Sequence, residues 1–309
     1  MSATTITPTT APDKLQGFLQ SIGSASEDMV LTFIVEHRLY HYTSLEGLEG
    51  IVSGNDLWLT HTQYCNDDEE LTHGLSLTRQ VIAEQAESGD DRRKEYLNKL
   101  LKLLERPELD AVYVCCFCEK DDLLSQWRAY AANGGGVSLE FEPARFNYIT
   151  GPDCPPSIGL MRFWKVFYPL ETQQKIIRSA ISYYPQFEPN ATTDEHAQWT
   201  AEAIRFFLPT FKNDSFQEEK EWRLIFTPAQ GSPAQPSYRV RRGMLVAYYS
   251  LKELASNLAL QHPKLPITGV RIGPGPNKAL NAASTRMFLD RQQYPEIGVD
   301  VSEAPYRSW

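Results

Sequence analysis

The stretch from Leu39 to Thr60 constrains the fold most. Leu39-Tyr40-His41-Tyr42-Thr43 reads as a short strand with a polar tip. Leu45, Leu48 and Ile51 then recur at helical spacing as far as Gly54, and Leu57 to Thr60 forms a second strand. Thr43 or Ser44 is positioned to cap the helix, and Glu46 falls in its first turn, where a carboxylate complements the exposed amides. A histidine at a strand end, beside a threonine hydroxyl and ahead of a helix N-terminus, can offer ring and backbone groups to a ribose or phosphate. The position equally suits a buried histidine satisfied by a neighbouring carbonyl.

With 309 residues and 42% hydrophobic content, the chain can bury a sizeable core. Its 39 acidic residues outnumber 30 basic ones, and the net charge of −9 argues against broad affinity for nucleic acid or anionic membrane while leaving room for a local basic groove. No apolar run approaches the roughly 20 residues that span a bilayer, and the first residues lack the pattern of a signal peptide, so a cytoplasmic protein is expected. Of the five cysteines, Cys115, Cys116 and Cys118 share one apolar run, while Cys65 and Cys154 are scattered; no zinc-type spacing is completed, and the cluster reads as core thiols.

Along the chain, residues 1–14 read as a disordered tail and residues 15–309 as one α+β domain, with helical insertions at 71–104 and 171–211. Leu15 to Ile34 has the spacing of one or two helices. The first insertion breaks near Ser88-Gly89-Asp90-Asp91 and the second near Pro185 to Pro189. Ala111 to Cys118 is a buried strand by its continuous apolar run. A short helix capped by Asp121 or Asp122 follows, then Gly134-Gly135-Gly136 turns the chain into a strand from Val137 to Phe141. Further strands are expected at Phe163 to Tyr168, Met244 to Tyr249 and Ile267 to Ile272. The Gly/Pro loop after the last is a poor phosphate nest, because proline removes amide donors. In Glu218 to Phe226, strand alternation sets Glu219, Glu221 and Arg223 on one face and Trp222, Leu224 and Phe226 on the other. The charged face reads as a site or as a solvated edge with an ion pair.

Taken together, Tyr40-His41-Tyr42-Thr43-Ser44, Asn66-Asp67 with Glu69, Gln126-Trp127 with Tyr130, Gly136-Val137-Ser138, Glu219-Lys220-Glu221-Trp222-Arg223, Ile272-Gly273-Pro274 and Pro305-Tyr306-Arg307 resemble the bacterial family called domain of unknown function 2971. The opening segment is also similar to that of histidine-type ADP-ribosyltransferases. That second resemblance implies a mixed, bent sheet, NAD as substrate, an acceptor that is a nucleic acid or a protein, and a role as a toxin or defence effector.

On the same resemblance, His41 would hold the adenosine-side ribose, with Tyr42 beside it, and Thr43 would contact the nicotinamide end. Glu221, with Glu219 as neighbour, would stabilise the positive charge left on the anomeric carbon when nicotinamide departs. Arg223 would hold phosphate or restrain Glu221. Tyr64, Trp127 and Tyr130 are the candidate stacking rings, although Trp127 and Tyr130, three apart on a helix, also look like a core-packing pair. The ADP-ribosyltransferase second-strand signature is not clear in this sequence. Two other readings use the same residues. Asp214 and Glu218-Glu219-Lys220, with Asp67, could form the Mg²⁺ site of a nuclease. A non-catalytic nucleotide sensor or scaffold would bind ligand without turnover.

Overall fold

A computed structural model describes residues 11–25, 35, 37–65, 70–87, 89–105, 111–150, 158–229, 231–241 and 243–306. The chain begins with α1 (Ala11–Ala25), β1 (Leu39–Thr43), α2 (Leu45–Gly54), β2 (Trp58–His61), α3 (Glu70–Glu87), α4 (Asp91–Leu104) and β3 (Tyr113–Cys118). Then come α5 (Leu124–Ala129), β4 (Val137–Phe141), α6 (Asn147–Thr150), β5 (Gly159–Lys165), α7 (Leu170–Phe187), α8 (Thr193–Phe207) and β6 (Glu221–Pro228). It continues with β7 (Ser237–Arg241), β8 (Met244–Ser250), α9 (Leu251–Asn257), β9 (Ile267–Ile272), α10 (Lys278–Arg291) and β10 (Gly298–Val301). The chain is thus α+β with a large mixed sheet.

Contacts divide it into two compact units. One comprises residues 1–32, 67–110 and 167–214, and the other residues 33–66, 111–166 and 215–309. The first holds α1, α3, α4, α7 and α8. Asp90 caps α4 by accepting a hydrogen bond from the Arg93 amide at 2.8 Å, which explains the break after α3. Thr192 and Glu195 form a capping box that starts α8. Buried Tyr96 donates to the Ile181 carbonyl (3.0 Å) and shares a 2.8 Å hydrogen bond with Thr200. Gln173, with no exposed surface, donates to the carbonyls of Phe167, Tyr168 and Lys212, while its own oxygen meets His73 Nε2 at 2.9 Å. One amide side chain thus ties the Phe167–Tyr168 segment to Lys212.

The second unit contains all ten strands, in the order β10-β9-β4-β1-β3-β2-β8-β7, with β6 pairing β3 and β5 pairing β6. Among the described strands β9 and β10 pair in parallel and the other pairs are antiparallel. The sheet forks at β3. β6 occupies one edge of β3 along its whole length, from Tyr113↔Phe226 to Cys118↔Glu221. The other edge is shared: β2 pairs Tyr113 and Val114, and β1 pairs only Cys118, through Tyr40. β1 and β2 therefore diverge along the middle of β3, and α2 links them. One face of the sheet carries the main core, with Leu39, Phe117, Leu139, Phe163 and Leu224 packed among Leu48 and Val52 of α2.

Several sequence expectations are corrected. Residues 11–14, expected in a disordered tail, begin α1; Pro12 lies in its first turn, where a missing amide costs nothing. The rest of that tail, residues 26–34 and the Asn66 to Glu69 motif lie outside the described residues. β5 starts at Gly159 and ends at Lys165, earlier than Phe163 to Tyr168. Neither Asp121 nor Asp122 caps α5, whose cap position is Leu123 without a side-chain bond. Asp122 instead accepts from Trp127 Nε1 (2.7 Å), Ser302 Oγ (2.5 Å) and the Glu303 amide (2.9 Å). Asp121 pairs with Arg271 at 2.7 Å. The two aspartates therefore anchor neighbouring segments to this turn.

Candidate functional site

Within β1 the period of two sends Leu39, His41 and Thr43 to the core face and Tyr40 and Tyr42 to the other. The register agrees, since His41 lies opposite core residue Leu139 and Tyr42 opposite Ser138. Ser44 caps α2 by accepting from the Gly47 amide at 3.1 Å. Gly47 also leaves space for Thr43, because a Cβ there would fall 1.9 Å from Thr43 Oγ1.

His41 fills the mouth of the fork. Its Nδ1 lies 2.8 Å from the carbonyl oxygen of Cys116 in β3. Its ring centroid is 5.7 Å from that of Phe117, and Cys115 Sγ is 3.9 Å from Nδ1. Burial lowers the His41 pKa, and the bond to the Cys116 carbonyl opposes that shift only in part, so the ring is neutral at pH 7. A carbonyl accepts only. Nδ1 therefore carries the proton, and Nε2 presents a lone pair that no described residue engages. The alternative of a histidine satisfied by a neighbouring carbonyl accounts for one ring nitrogen. The histidine is half-buried.

Across the fork, His61 of β2 lies opposite Tyr113 on the same core face, and its ring is 5.0 Å from that of Tyr113 and 5.8 Å from that of Tyr64. Tyr64 closes a short 3₁₀ turn after β2. Cys115 and Cys118 are buried thiols; burial pushes their pKa values up to about 12 and about 11, which keeps them protonated and unreactive.

The remaining candidates lie on the opposite face. Tyr42 packs edge-on against Trp127 at 4.8 Å and belongs with it to a second, smaller cluster. The Tyr42 hydroxyl donates to the Lys120 carbonyl (2.8 Å) and accepts from the Leu123 amide (3.0 Å). Trp127 is fully buried, the packing alternative raised from the sequence. Tyr130 donates to Glu219 at 2.9 Å. Glu219 is not on the strand; it ends a 3₁₀ turn (Asp214–Glu219), and Lys220, with a left-handed φ of 44°, separates it from β6. Glu221 and Arg223 are on β6 but are not solvated, being 5% and 1% exposed. Arg223 Nε and Nη2 donate to the two Glu221 oxygens at 2.7 and 3.0 Å. β6 lies between β3 and β5, which is why these charges are internal.

Glu221 pairs with Cys118, which pairs with Tyr40, so Glu221 shares the Tyr40 face. The structure thus brings together Tyr42 with Trp127, Tyr130 with Glu219, and Glu221 with Arg223. It sets His41 and Thr43 on the other face. His41 and Glu221 therefore do not share a face of the sheet. Alternation already separates His41 from Tyr42 in the sequence, and that signal was available. The fork, His61 and the Cys116 carbonyl depend on strand pairing and had no local signal.

For the nuclease reading, Asp214, Glu218 and Lys220 are exposed, Glu219 is bonded to Tyr130, and Asp67 lies outside the described residues. Among the described residues no group of three or more His, Cys, Asp or Glu side chains is arranged to hold a metal ion. Nor is any described helix long and apolar enough to cross a membrane. The family model described as Protein of unknown function (DUF2971) matches residues 126–224. That span supports the first family resemblance and contains the Gln126-Trp127, Gly136-Val137-Ser138 and Glu219 to Arg223 motifs; the His41 segment lies outside it. No curated protein and no solved structure matches the chain.

Proposed function

We propose that this chain binds the ribose of an ADP-ribose-containing nucleotide, NAD among them, at His41. The observation that carries the reading is the fixed tautomer of His41: Nδ1–H is committed to the Cys116 carbonyl, and the Nε2 lone pair is left to accept from a ribose hydroxyl. Thr43, on the same face, is the neighbouring hydroxyl for the ligand, and Tyr64 is the candidate ring from the β2 side.

ADP-ribosyl transfer to a nucleic acid or protein, in a toxin or defence effector, is the reaction that the histidine-type resemblance implies. It needs a carboxylate close to the anomeric carbon on the His41 side. Glu221 points away from that side and is neutralised by Arg223. Binding without dependence on Glu221 is therefore the reading that the geometry supports best. Titration calorimetry with ADP-ribose tests it. Binding that His41→Ala weakens supports the proposal, and a wild-type protein that binds neither ADP-ribose nor NAD removes it.

A further inference from the structure

We propose that Arg239, Thr60 and Thr62, on the sheet face away from the main core, bind a phosphate group, free or esterified. Strand pairing brings the three together. Thr60 lies opposite Val114 and Tyr248. The Thr62 amide donates to the Val112 carbonyl at 2.9 Å, which extends the same ladder, and alternation sets Thr62 on the Thr60 face. Tyr248 and Val246 share that face, and Arg239 of β7 lies opposite Val246. Arg239 therefore starts level with Thr62, two strand spacings or roughly 10 Å away, and its side chain crosses β8 towards β2.

The guanidinium arrives without a counter-charge. Nη2 donates to Thr60 Oγ1 at 2.8 Å, and the group lies 4.9 Å from the Trp58 ring centroid and 5.5 Å from that of Tyr248. Among the described residues no carboxylate pairs with it. Its Nε is buried and has no hydrogen-bond partner among them, and the same holds for Oγ1 of Thr62, a residue 3% exposed. Burial lowers the Arg239 pKa, and the charge of Arg241 lowers it further. A desolvated cation without an anion and a buried hydroxyl without a partner each cost free energy. One anion that accepts from both relieves both.

The chemistry of the donors selects the ligand. Thr60 Oγ1 accepts from Arg239, so its own proton is left to donate. The site thus offers Arg239 Nε–H and two threonine hydroxyls. These donors come from two strands rather than from one guanidinium plane, which suits a tetrahedral oxyanion better than a planar carboxylate. One partly buried arginine in a chain of net charge −9 suits a single phosphate rather than a nucleic-acid backbone. His41 lies on the core face, so the site is independent of a nucleotide bound there.

Calorimetric titration of inorganic phosphate and of phenyl phosphate into the full chain tests the proposal, with acetate as the planar comparison. Saturable phosphate binding is expected, weaker by about tenfold or more in Arg239→Gln. Thr62→Val replaces a buried hydroxyl by a methyl of similar shape and keeps the test open if Arg239→Gln does not fold. Without phosphate, Thr62→Val should melt at or above the wild-type temperature, because it removes an unsatisfied group. The rise in melting temperature that phosphate gives the wild type should shrink in it. Tighter binding of phenyl phosphate assigns the group to an ester and tighter binding of inorganic phosphate to the free ion, and either supports the site. Absence of phosphate binding overturns the proposal, as does binding unchanged in both variants or acetate bound as tightly as phosphate. A Thr62→Val protein less stable than wild type without phosphate also overturns it, because Thr62 Oγ1 is then satisfied within the chain.

Discussion

His41 and Glu221 stand on opposite faces of the same sheet, linked through the register Tyr40↔Cys118↔Glu221. About two strand spacings, roughly 10 Å, separate β1 from β6 at that level. On the His41 side the ring's neighbours are Cys115 and Phe117, while Glu221 faces Arg223. The two residues therefore contribute to different parts of the molecule.

Acidification should weaken nucleotide binding. The His41 pKa is lowered in the folded chain, so above the ordinary histidine value of about 6.5 the ring is neutral in both folded and unfolded states. As pH falls below that value the unfolded chain takes up the proton first. The stability associated with neutral His41 is then lost down to the lower folded pKa. Protonation also removes the Nε2 acceptor. Affinity for ADP-ribose measured from pH 8 downwards should be flat above about pH 6.5 and decline only as pH falls through the lowered folded pKa of His41, and His41→Asn should flatten the profile.

Arg223→Met should be strongly destabilising. It leaves the Glu221 carboxylate buried without the guanidinium that satisfies both its oxygens, a loss of about 3–5 kcal/mol. The double variant Glu221→Gln/Arg223→Met removes both charges and should recover much of that loss. Denaturant midpoints of the three proteins provide the comparison.

Gly47→Ala separates the site from the fold. Alanine favours the helix by about 1 kcal/mol over glycine, yet its Cβ would collide with Thr43 Oγ1 and force that side chain to another rotamer. Calorimetry should show weaker ADP-ribose binding, and circular dichroism an unchanged helix content.

Gln173→Leu should destabilise the helical unit by about 2–4 kcal/mol, since it removes three buried amide donations to the carbonyls of Phe167, Tyr168 and Lys212. Hydrogen exchange should rise first in α7, where Gln173 resides.

Local signals were legible where one residue type dominates the outcome. Asp90 marks the start of α4, the apolar run to Cys118 marks β3, and Met244 and Ile267 open the strands read there. The alternation of Trp222, Leu224 and Phe226 correctly marks their common core face. β7 and β10 were missed because their exposed residues give neither an apolar run nor an inward-facing alternation. Motifs that resembled functional sequence include close-packing devices: the Gly273 amide donates to the Gly136 carbonyl at 2.9 Å, and a Cβ at Gly134 would meet the Tyr306 ring. Whether Glu219 joined the strand turned on the backbone of Lys220, and the depth of Arg223 turned on β5 covering the far edge of β6. Both are tertiary facts that a single strand pattern does not carry.

The most direct test of the account is calorimetric titration of NAD and ADP-ribose into wild type, His41→Ala and Glu221→Gln/Arg223→Met, each confirmed folded, with nicotinamide release followed in parallel. Binding by wild type and by the double variant is expected, with a loss of about tenfold or more in His41→Ala, the magnitude of one ribose hydrogen bond. Binding that survives His41→Ala, or that disappears only when Glu221 and Arg223 are replaced, would contradict it.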